Sequence, residues 1–320
     1  MTDVPRANFL PALAAHGGAG ATGPPHERPE RRRGLIEAVQ AGVEILRGGG
    51  SSLDAAVATV VALENHPLFN AGYGSLLTTD GTAEMDASVM FATPSERDGH
   101  SPAGAVGAVS RVRNPIALAR AIMERTPHLL MVGPGAERFA RRAGLKLCRP
   151  EEMITARARE RWLARRQARL TATLPPGTAH GTVGAVAIDV RGGIAAATST
   201  GGVPGKLAGR VGDSAIIGAG TYASPLGAAS ATGQGEAIIR AMLCRAVVEA
   251  CAVASPRVAA RRVITSHIAR SGAEAGVIAV DRRGRIAFAH NAATMQVASY
   301  DPSRGLHHEW IAPIGIASHR

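Results

Sequence analysis

Thr182 has the most chemistry open to it. It lies in His180-Gly181-Thr182-Val183-Gly184-Ala185-Val186-Ala187, where a hydroxyl heads an apolar, small-residue strand. Ahead of it residues 171–181 read TATLPPGTAHG, a Thr/Pro/Gly stretch without periodicity that has the composition of a linker. Gly181 admits backbone conformations closed to other residues, so a strained peptide bond before the hydroxyl is sterically open. That arrangement allows an N-to-O acyl shift. Thr182 Oγ attacks the Gly181 carbonyl, water resolves the ester, and Thr182 becomes a chain terminus. Its α-amine would titrate near roughly pH 7.7–8.0, so part of it is unprotonated at neutral pH and can serve as base for its own hydroxyl. A Gly-Thr pair taken alone also suits an ordinary strand start.

Other candidates carry less. His16 and His180 both sit beside Gly, and neither has a Ser or Cys partner nearby in sequence, so each reads as a packed or loop residue. GGVPGKL at 201–207 has a Gly-Lys pair, but Thr200 stands where a P-loop needs its first Gly and Leu207 where it needs Ser or Thr. Gly233-Gln234-Gly235 starts like a dinucleotide fingerprint, yet Ile238 occupies the third Gly position. The acidic stretch Asp80 to Asp86 lacks EF-hand spacing and reads as a structural turn. Arg157, Arg159, Arg161, Arg165, Arg166 and Arg169, opposed only by Glu160, read as a solvated helix or tail beside the linker.

Several elements must position Thr182. Leu10–Ala15 reads as a buried strand stopped by the Gly loop at 16–20. Leu35, Val39, Val43 and Leu46 recur at helical spacing until Gly48-Gly49-Gly50, and Ser51 and Ser52 cap a second helix to Leu63. Strand-like runs follow at 75–78, 84–92 and 103–110. Asn114-Pro115 then opens a helix, with further helical patterns at 133–143 and 151–170. Beyond the linker, 182–190 and 194–200 form a hairpin, helices cover 234–252 and 256–270, and a second hairpin joins 276–280 to 286–289. Strands and helices in blocks predict an α+β fold whose sheets are covered by helices on their outer faces.

Composition narrows the partners. With 320 residues and 46% hydrophobic content a large core is available, while 3% aromatics and 38 Gly favour small-residue packing. The net charge of +11 could draw polyanions, but 22 basic against 17 acidic residues in 1–181, and 14 against 8 in 182–320, spread the excess along the chain. Nucleic acid is therefore not expected. Cys148, Cys244 and Cys251 show no ligand or disulfide spacing and read as reduced. The apolar stretch 9–15 is interrupted by Pro11, too short for a signal sequence, and no run approaches a membrane span, so a cytoplasmic location is expected.

Read together, the segments closely resemble the plant-type L-asparaginase and isoaspartyl peptidase family of N-terminal-nucleophile hydrolases. The resemblance is carried by AAHGGAG at 14–20, LDAAVATVVALENHPLFNAGYGSLLTTDGTAEMDASVM at 53–90 and NPIALARAIM at 114–123. It continues with GTVGAVAIDV at 181–190, ATSTGG at 197–202, GKLAGRVGDSAIIGAGTYA at 205–223 and ATGQGEAIIR at 231–240. It implies a single domain over 1–320 with a four-layer αββα sandwich. It further implies self-cleavage between Gly181 and Thr182 into fragments 1–181 and 182–320, and a dimer of the cleaved units. By resemblance Thr182 is the nucleophile and Thr200 supports its hydroxyl, Arg210 and Asp213 clamp the substrate, and Thr232 and Gly233 stabilise an oxyanion. Asn70 is similar to a family residue near the nucleophile. Main-chain carbonyls of Leu63, Glu64, His66, Phe69, Ala71 and Tyr73 match a sodium-binding loop, and no organic cofactor is implied.

The implied substrates are L-asparagine and N-terminal isoaspartyl dipeptides, which share a free α-carboxylate, a free α-amine and a β-amide. Two other functions suit the same residues: a glycosylasparaginase, and an unprocessed relative that only binds polyanions. Two positions depart from the common pattern. Gly181 stands where many relatives have Asp, and Ala275-Gly276 replaces a frequent Gly-Gly.

Overall fold

The computed structural model describes residues 9–20, 24–96, 101–170 and 181–314. Along the chain the elements are β1 (Ala12–Gly20), α1 (Arg28–Arg47), α2 (Ser52–Asn65), β2 (Met85–Ala92), β3 (Ala103–Val109), α3 (Pro115–Arg125), β4 (Leu130–Val132), α4 (Gly133–Arg142) and α5 (Ala156–Leu170). After residue 181 come β5 (Val183–Ile188), β6 (Ile194–Thr200), β7 (Thr221–Ser224), β8 (Gly227–Gly233), α6 (Gly235–Ala241), α7 (Leu243–Ala250), α8 (Pro256–Val263), β9 (Ala275–Asp281), β10 (Ile286–His290), β11 (Thr294–Asp301) and β12 (Gly305–Ile311).

The strands form a mixed α+β architecture with two sheets. Eight strands run in the order β12-β11-β1-β5-β6-β2-β3-β4 and four in the order β10-β9-β8-β7. β1, β5 and β6 are buried along their whole length, and alternate side chains enter two different cores. Leu13, Ala15, Val183, Ala185, Ala195 and Ala197 pack with the apolar faces of α1, α2 and α3. Ala12, Ala14, Val186, Ile188 and Ala196 pack with Ala229, Ala231, Val277 and Ile278 of the smaller sheet and with residues of α7 and α8. The small side chains let the two sheets approach closely with few aromatic rings.

The larger sheet takes β1 to β4 from before residue 181 and β5, β6, β11 and β12 from after it, with β5 between β1 and β6. Chain segments on the two sides of Thr182 are thus joined by continuous strand pairing. The linker anticipated at 171–180 lies outside the described residues.

Several expectations need correction. β1 does not stop at His16 but continues to Gly20, with a register shift between His16 and Ala19. Gly18 adopts φ +107°, and a Cβ on Gly17 would lie 2.6 Å from the Phe69 ring, so the glycines form a bulge within the strand. Residues 75–78 are not a strand and contribute only an isolated bridge between Leu77 and Ala83. The helix expected over 234–252 breaks at Met242, which turns left-handed at φ 45°. The one expected over 256–270 passes from α8 into a π turn at Ile264–Ile268 and a 3-10 turn at Ala269–Ser271. Strands β4, β7, β8, β11 and β12 were not anticipated. β7 and β8 are rich in Gly, Ala and Ser, whose weak strand preference is overridden by burial between neighbours.

α3 starts as expected at Pro115, but Asn114 does not cap it through its own side chain. Glu64, fully buried, takes that role: its carboxyl accepts from the Ile116 N–H at 3.0 Å, the Asn114 side-chain amide at 3.1 Å and the Ser199 hydroxyl at 2.6 Å. One side chain therefore ties α2, α3 and β6 together. Burial pushes the Glu64 carboxyl up to about 8 against the lowering effect of those three bonds. Between the ordinary glutamate value and about 8, the folded chain holds a proton there that the unfolded chain lacks, so stability falls as pH rises through that window. Urea unfolding of Glu64→Gln should accordingly lose less stability between pH 5 and 8 than unfolding of the natural chain.

Candidate active site

Thr182 precedes β5 and Thr200 ends β6, and the register Val183 to Ser199 brings the two threonines side by side. The Thr182 hydroxyl donates to Thr200 Oγ1 at 3.0 Å, and the Gly202 N–H also donates to Thr200 Oγ1 at 3.0 Å. Thr182 is 6% exposed. It shares a small cleft, about 10 Å³, with Gly181, Thr200, Gly202, Val203, Arg210, Asp213 and Gly233. Six of the residues singled out by resemblance therefore meet in one place.

Gly181 earns its place differently from the expectation. It does not use the left-handed region. Instead a Cβ there would lie 2.7 Å from Asn70 Cβ, so close approach requires the glycine. The Gly181 carbonyl accepts from the Asn70 N–H at 3.2 Å. Asn70 is itself held by its side chain, which donates to Gly202 O at 2.7 Å and accepts from Leu76 N–H at 2.8 Å.

Arg210 and Asp213 come from the loop between β6 and β7. Asp213 is 4% exposed and its Oδ2 has no hydrogen-bond partner. Burial pushes its carboxyl up to about 7 despite the pull of the Arg210 guanidinium. Arg210 donates to Glu236 Oε1 through Nε at 3.1 Å and Nη2 at 2.9 Å. Added Cβ atoms on Gly212 and Gly235 would each come within 2.6 Å of the guanidinium, so both glycines make room for it.

The supports of this loop were missed in the sequence. Asp86, read as part of a turn, accepts from the Gly212 N–H and from the Ala108 N–H, each at 2.9 Å, while Glu84 accepts from the Gly209 N–H at 2.7 Å. Lys206, 3.8 Å from Asp86, is the buried counter-charge. The Gly-Lys pair that fails as a P-loop thus anchors the loop that carries Arg210 and Asp213. The one available signal was the pair of acids in Glu84-Met85-Asp86.

Gly233 has φ +142°, and a Cβ would lie 2.5 Å from both Ala275 Cα and Glu274 O, so the position requires glycine and Ala275 forms its wall. Thr232 is fully buried, and its Oγ1 accepts from the Ala19 N–H at 3.4 Å rather than lining the cleft. His16 is not a loop residue: it is fully buried in β1, its Nε2 lies 3.1 Å from Ser230 Oγ, and burial pushes it down to about 3. It is therefore neutral and takes no proton at working pH. From Ser230 a chain of hydroxyls runs through Thr198 and Thr221 to Ser88, which donates to Ser214 O. This buried network links β8 and β7 of the smaller sheet to β6 and β2 of the larger one. His180 lies outside the described residues.

The loop after α2 carries the carbonyls expected around sodium. A Cβ on Gly74 would run into Phe69 O and lie 2.9 Å from Pro67 O and 3.0 Å from His66 O, and one on Gly72 would run into Glu64 O. The carbonyl oxygens of Glu64, His66, Pro67 and Phe69 thus face the two glycines, and oxygen is the donor type that a hard cation takes. Leu63 O and Ala71 O accept from the His66 and Gly74 N–H groups, and Tyr73 stacks under Arg113 at 4.9 Å. Among the described residues no group of three His, Cys, Asp or Glu side chains could hold a metal.

The Arg-rich segment is helical, as expected, but it is not simply solvated. Arg157 pairs with Glu27 at 2.7 Å, Trp162 donates to Thr79 O at 3.3 Å, and Arg157 and Arg161 line a pocket that includes Asn70 and Gly181. Packing of Trp162 over Gly81 draws α5 onto the body of the protein. No helix of the described residues is long and apolar enough to cross a membrane, and all three cysteines are free thiols.

The family described as Asparaginase matches residues 9–308. The chain is 40% identical over 315 residues to an isoaspartyl peptidase of Escherichia coli, covering 93% of this chain and 96% of that one. It is 44% identical over 235 residues to an isoaspartyl peptidase/L-asparaginase of Mus musculus, covering 73% and 70% of the two chains. Against an isoaspartyl peptidase/L-asparaginase of Homo sapiens the identity is 45% over 238 residues, covering 73% and 75%. With matches of this length running through the Thr182 cleft and its supporting strands, the chain belongs to the asparaginase family.

Proposed function

We propose that the chain is an autoprocessed amidohydrolase that cleaves the β-amide of L-asparagine and of N-terminal isoaspartyl peptides through an ester on Thr182. The observation that carries this reading is the Thr182 to Thr200 hydrogen bond in a cleft shared with Arg210, Asp213 and Gly233. The names of the E. coli, mouse and human relatives support isoaspartyl peptides as substrates, and those of the mouse and human relatives support L-asparagine as well.

In the processing step Thr182 Oγ attacks the Gly181 carbonyl carbon. The Asn70 N–H, 3.2 Å from that carbonyl oxygen, is ready to stabilise the developing oxyanion. The C–N bond breaks, the proton passes to the Thr182 nitrogen, and water hydrolyses the ester to a Gly181 carboxylate and a free Thr182. Fragments 1–181 and 182–320 stay together because β5 remains paired with β1 and β6 with β2.

In turnover the substrate α-carboxylate binds Arg210, sharing it with Glu236, and the α-ammonium satisfies the unpartnered Asp213 Oδ2. Thr182 attacks the β-carbonyl, and its amine takes the hydroxyl proton and passes it to the leaving nitrogen. Gly233, in the cleft, offers its N–H to the oxyanion, and the Thr232 hydroxyl joins it by turning from the Ala19 N–H. Water then attacks the ester with the amine again as base, releasing aspartate.

The fuller architecture belongs to the same reading: one domain in four αββα layers, assembled as a dimer of cleaved units in the cytoplasm, without an organic cofactor. A sodium ion on the carbonyls of Leu63, Glu64, His66, Phe69, Ala71 and Tyr73 would fix the loop that carries Asn70.

Intact-mass measurement should find two fragments split between Gly181 and Thr182, and Thr182→Ala should remain one chain and hydrolyse neither L-asparagine nor β-aspartyl dipeptides. Processing or hydrolysis by Thr182→Ala would overturn the proposal. A pH profile gives a second check. Protonation of Asp213 below about 7 removes the charge that binds the substrate ammonium, so KM should rise as pH falls through that value. A KM that stays flat between pH 8 and 5.5 would mean that the Asp213 carboxyl keeps its charge through that range, and an unchanged KM in Asp213→Asn would exclude Asp213 from binding.

A further inference from the structure

Beyond Gly181 lies a second pocket, about 40 Å³ in the uncut chain, lined by Gly17–Gly20 of β1, Trp310 and three arginines, Arg31, Arg157 and Arg161. Gly181 is a wall of both this pocket and the Thr182 cleft, so release of the peptide before Thr182 would join the two.

The three cations face one carboxylate. Arg157 holds Glu27 with two hydrogen bonds, at 2.8 Å and 2.7 Å. Arg31 donates to Gly17 O at 3.0 Å and to Leu68 O and lies 5.0 Å over the Phe69 ring, yet its Nε is buried without a hydrogen-bond partner. The Arg161 side chain has no hydrogen-bond or ion-pair partner within contact distance among the described residues, and it feels the Arg157 charge more strongly than the opposing Glu27 charge. Burial first, then the neighbouring Arg157 charge, pushes Arg31 down to about 10, although Glu27 opposes the shift. The cluster is short of negative charge, and an anion placed there would relieve the repulsion.

The direction of the substrate supplies that anion, on the reading given under Proposed function. Arg210 and Asp213 hold the aspartyl end, the β-carbonyl meets Thr182, and the leaving group continues away from the clamp on the Gly181 side. In L-asparagine it ends there as ammonia. In a β-aspartyl dipeptide it is a second residue whose own α-carboxylate reaches the guanidinium groups, with Leu68, Leu76 and Trp310 alongside its side chain.

We propose that Arg31, Arg157 and Arg161 form a leaving-residue subsite that binds the free C-terminal carboxylate of β-aspartyl dipeptides and so favours them over longer or amidated peptides. The test compares kcat/KM for β-aspartyl-leucine and its C-terminal amide in the natural enzyme and in Arg161→Gln. Taking the ratio of two substrates within each protein cancels differences in the amount of folded, processed enzyme.

The natural enzyme should prefer the free acid by about tenfold, and Arg161→Gln should reduce the preference to about two- to threefold, with Arg161→Lys in between. Raising salt should narrow the preference of the natural enzyme. Equal rates on acid and amide, the result expected if the Gly181 carboxylate made by processing occupies the pocket permanently, would overturn the subsite. So would a preference unchanged in Arg161→Gln. Failure to hydrolyse L-asparagine as well as both dipeptides would instead overturn the underlying enzymatic reading.

Discussion

The register of one hairpin governs the site. Val183 pairs with Ser199, and this pairing makes Thr182 the neighbour of Thr200. A slip of one residue would turn every β5 side chain to the opposite core and remove the hydroxyl pair. Burial forbids the slip: Val183, Ala185 and Ala187 belong to the helix-side core, and Val186 and Ile188 to the core between the sheets. Packing on two faces thus aims a single hydroxyl, which is why Thr182 lies at the start of a fully buried strand rather than on a surface loop.

Space around that hydroxyl is made by absent side chains. Gly181 admits Asn70, Gly212 and Gly235 admit the Arg210 guanidinium, and Gly184 admits the contact between His16 and Ser230. Of the glycines lining the site, Gly233 needs a positive φ and Gly181 does not, so for Gly181 the requirement is volume. That close approach lets the Asn70 N–H donate to the Gly181 carbonyl.

Charge inside the protein is handled by a few buried groups with fixed partners. Asp86 binds two backbone amides and faces Lys206, which holds the loop carrying Arg210 and Asp213 in place. Glu64 and His16 are kept neutral by burial and serve as hydrogen-bonding posts, whereas Asp213 retains an unpartnered oxygen within the cleft. An unpaired buried carboxylate is costly in a resting protein and becomes useful when a cationic ligand arrives.

From the sequence alone, α1, α2, the β5–β6 hairpin and the β9–β10 hairpin were legible, because each carries its own periodicity and its own Gly or Ser boundary. So were Thr182, Thr200, Arg210, Asp213 and Gly233, since their segments keep the family pattern in order. Tertiary structure decided what depends on distant partners. It ran β1 through a glycine bulge, built β7 and β8 from weak strand formers, and recruited Glu64 to cap α3. It also set Asp86 under the loop of Arg210 and Asp213, and Arg157 and Arg161 beside Gly181. Local periodicity records which face of a segment is apolar, but a carboxylate's partner more than a hundred residues away leaves no trace in the chain's local pattern.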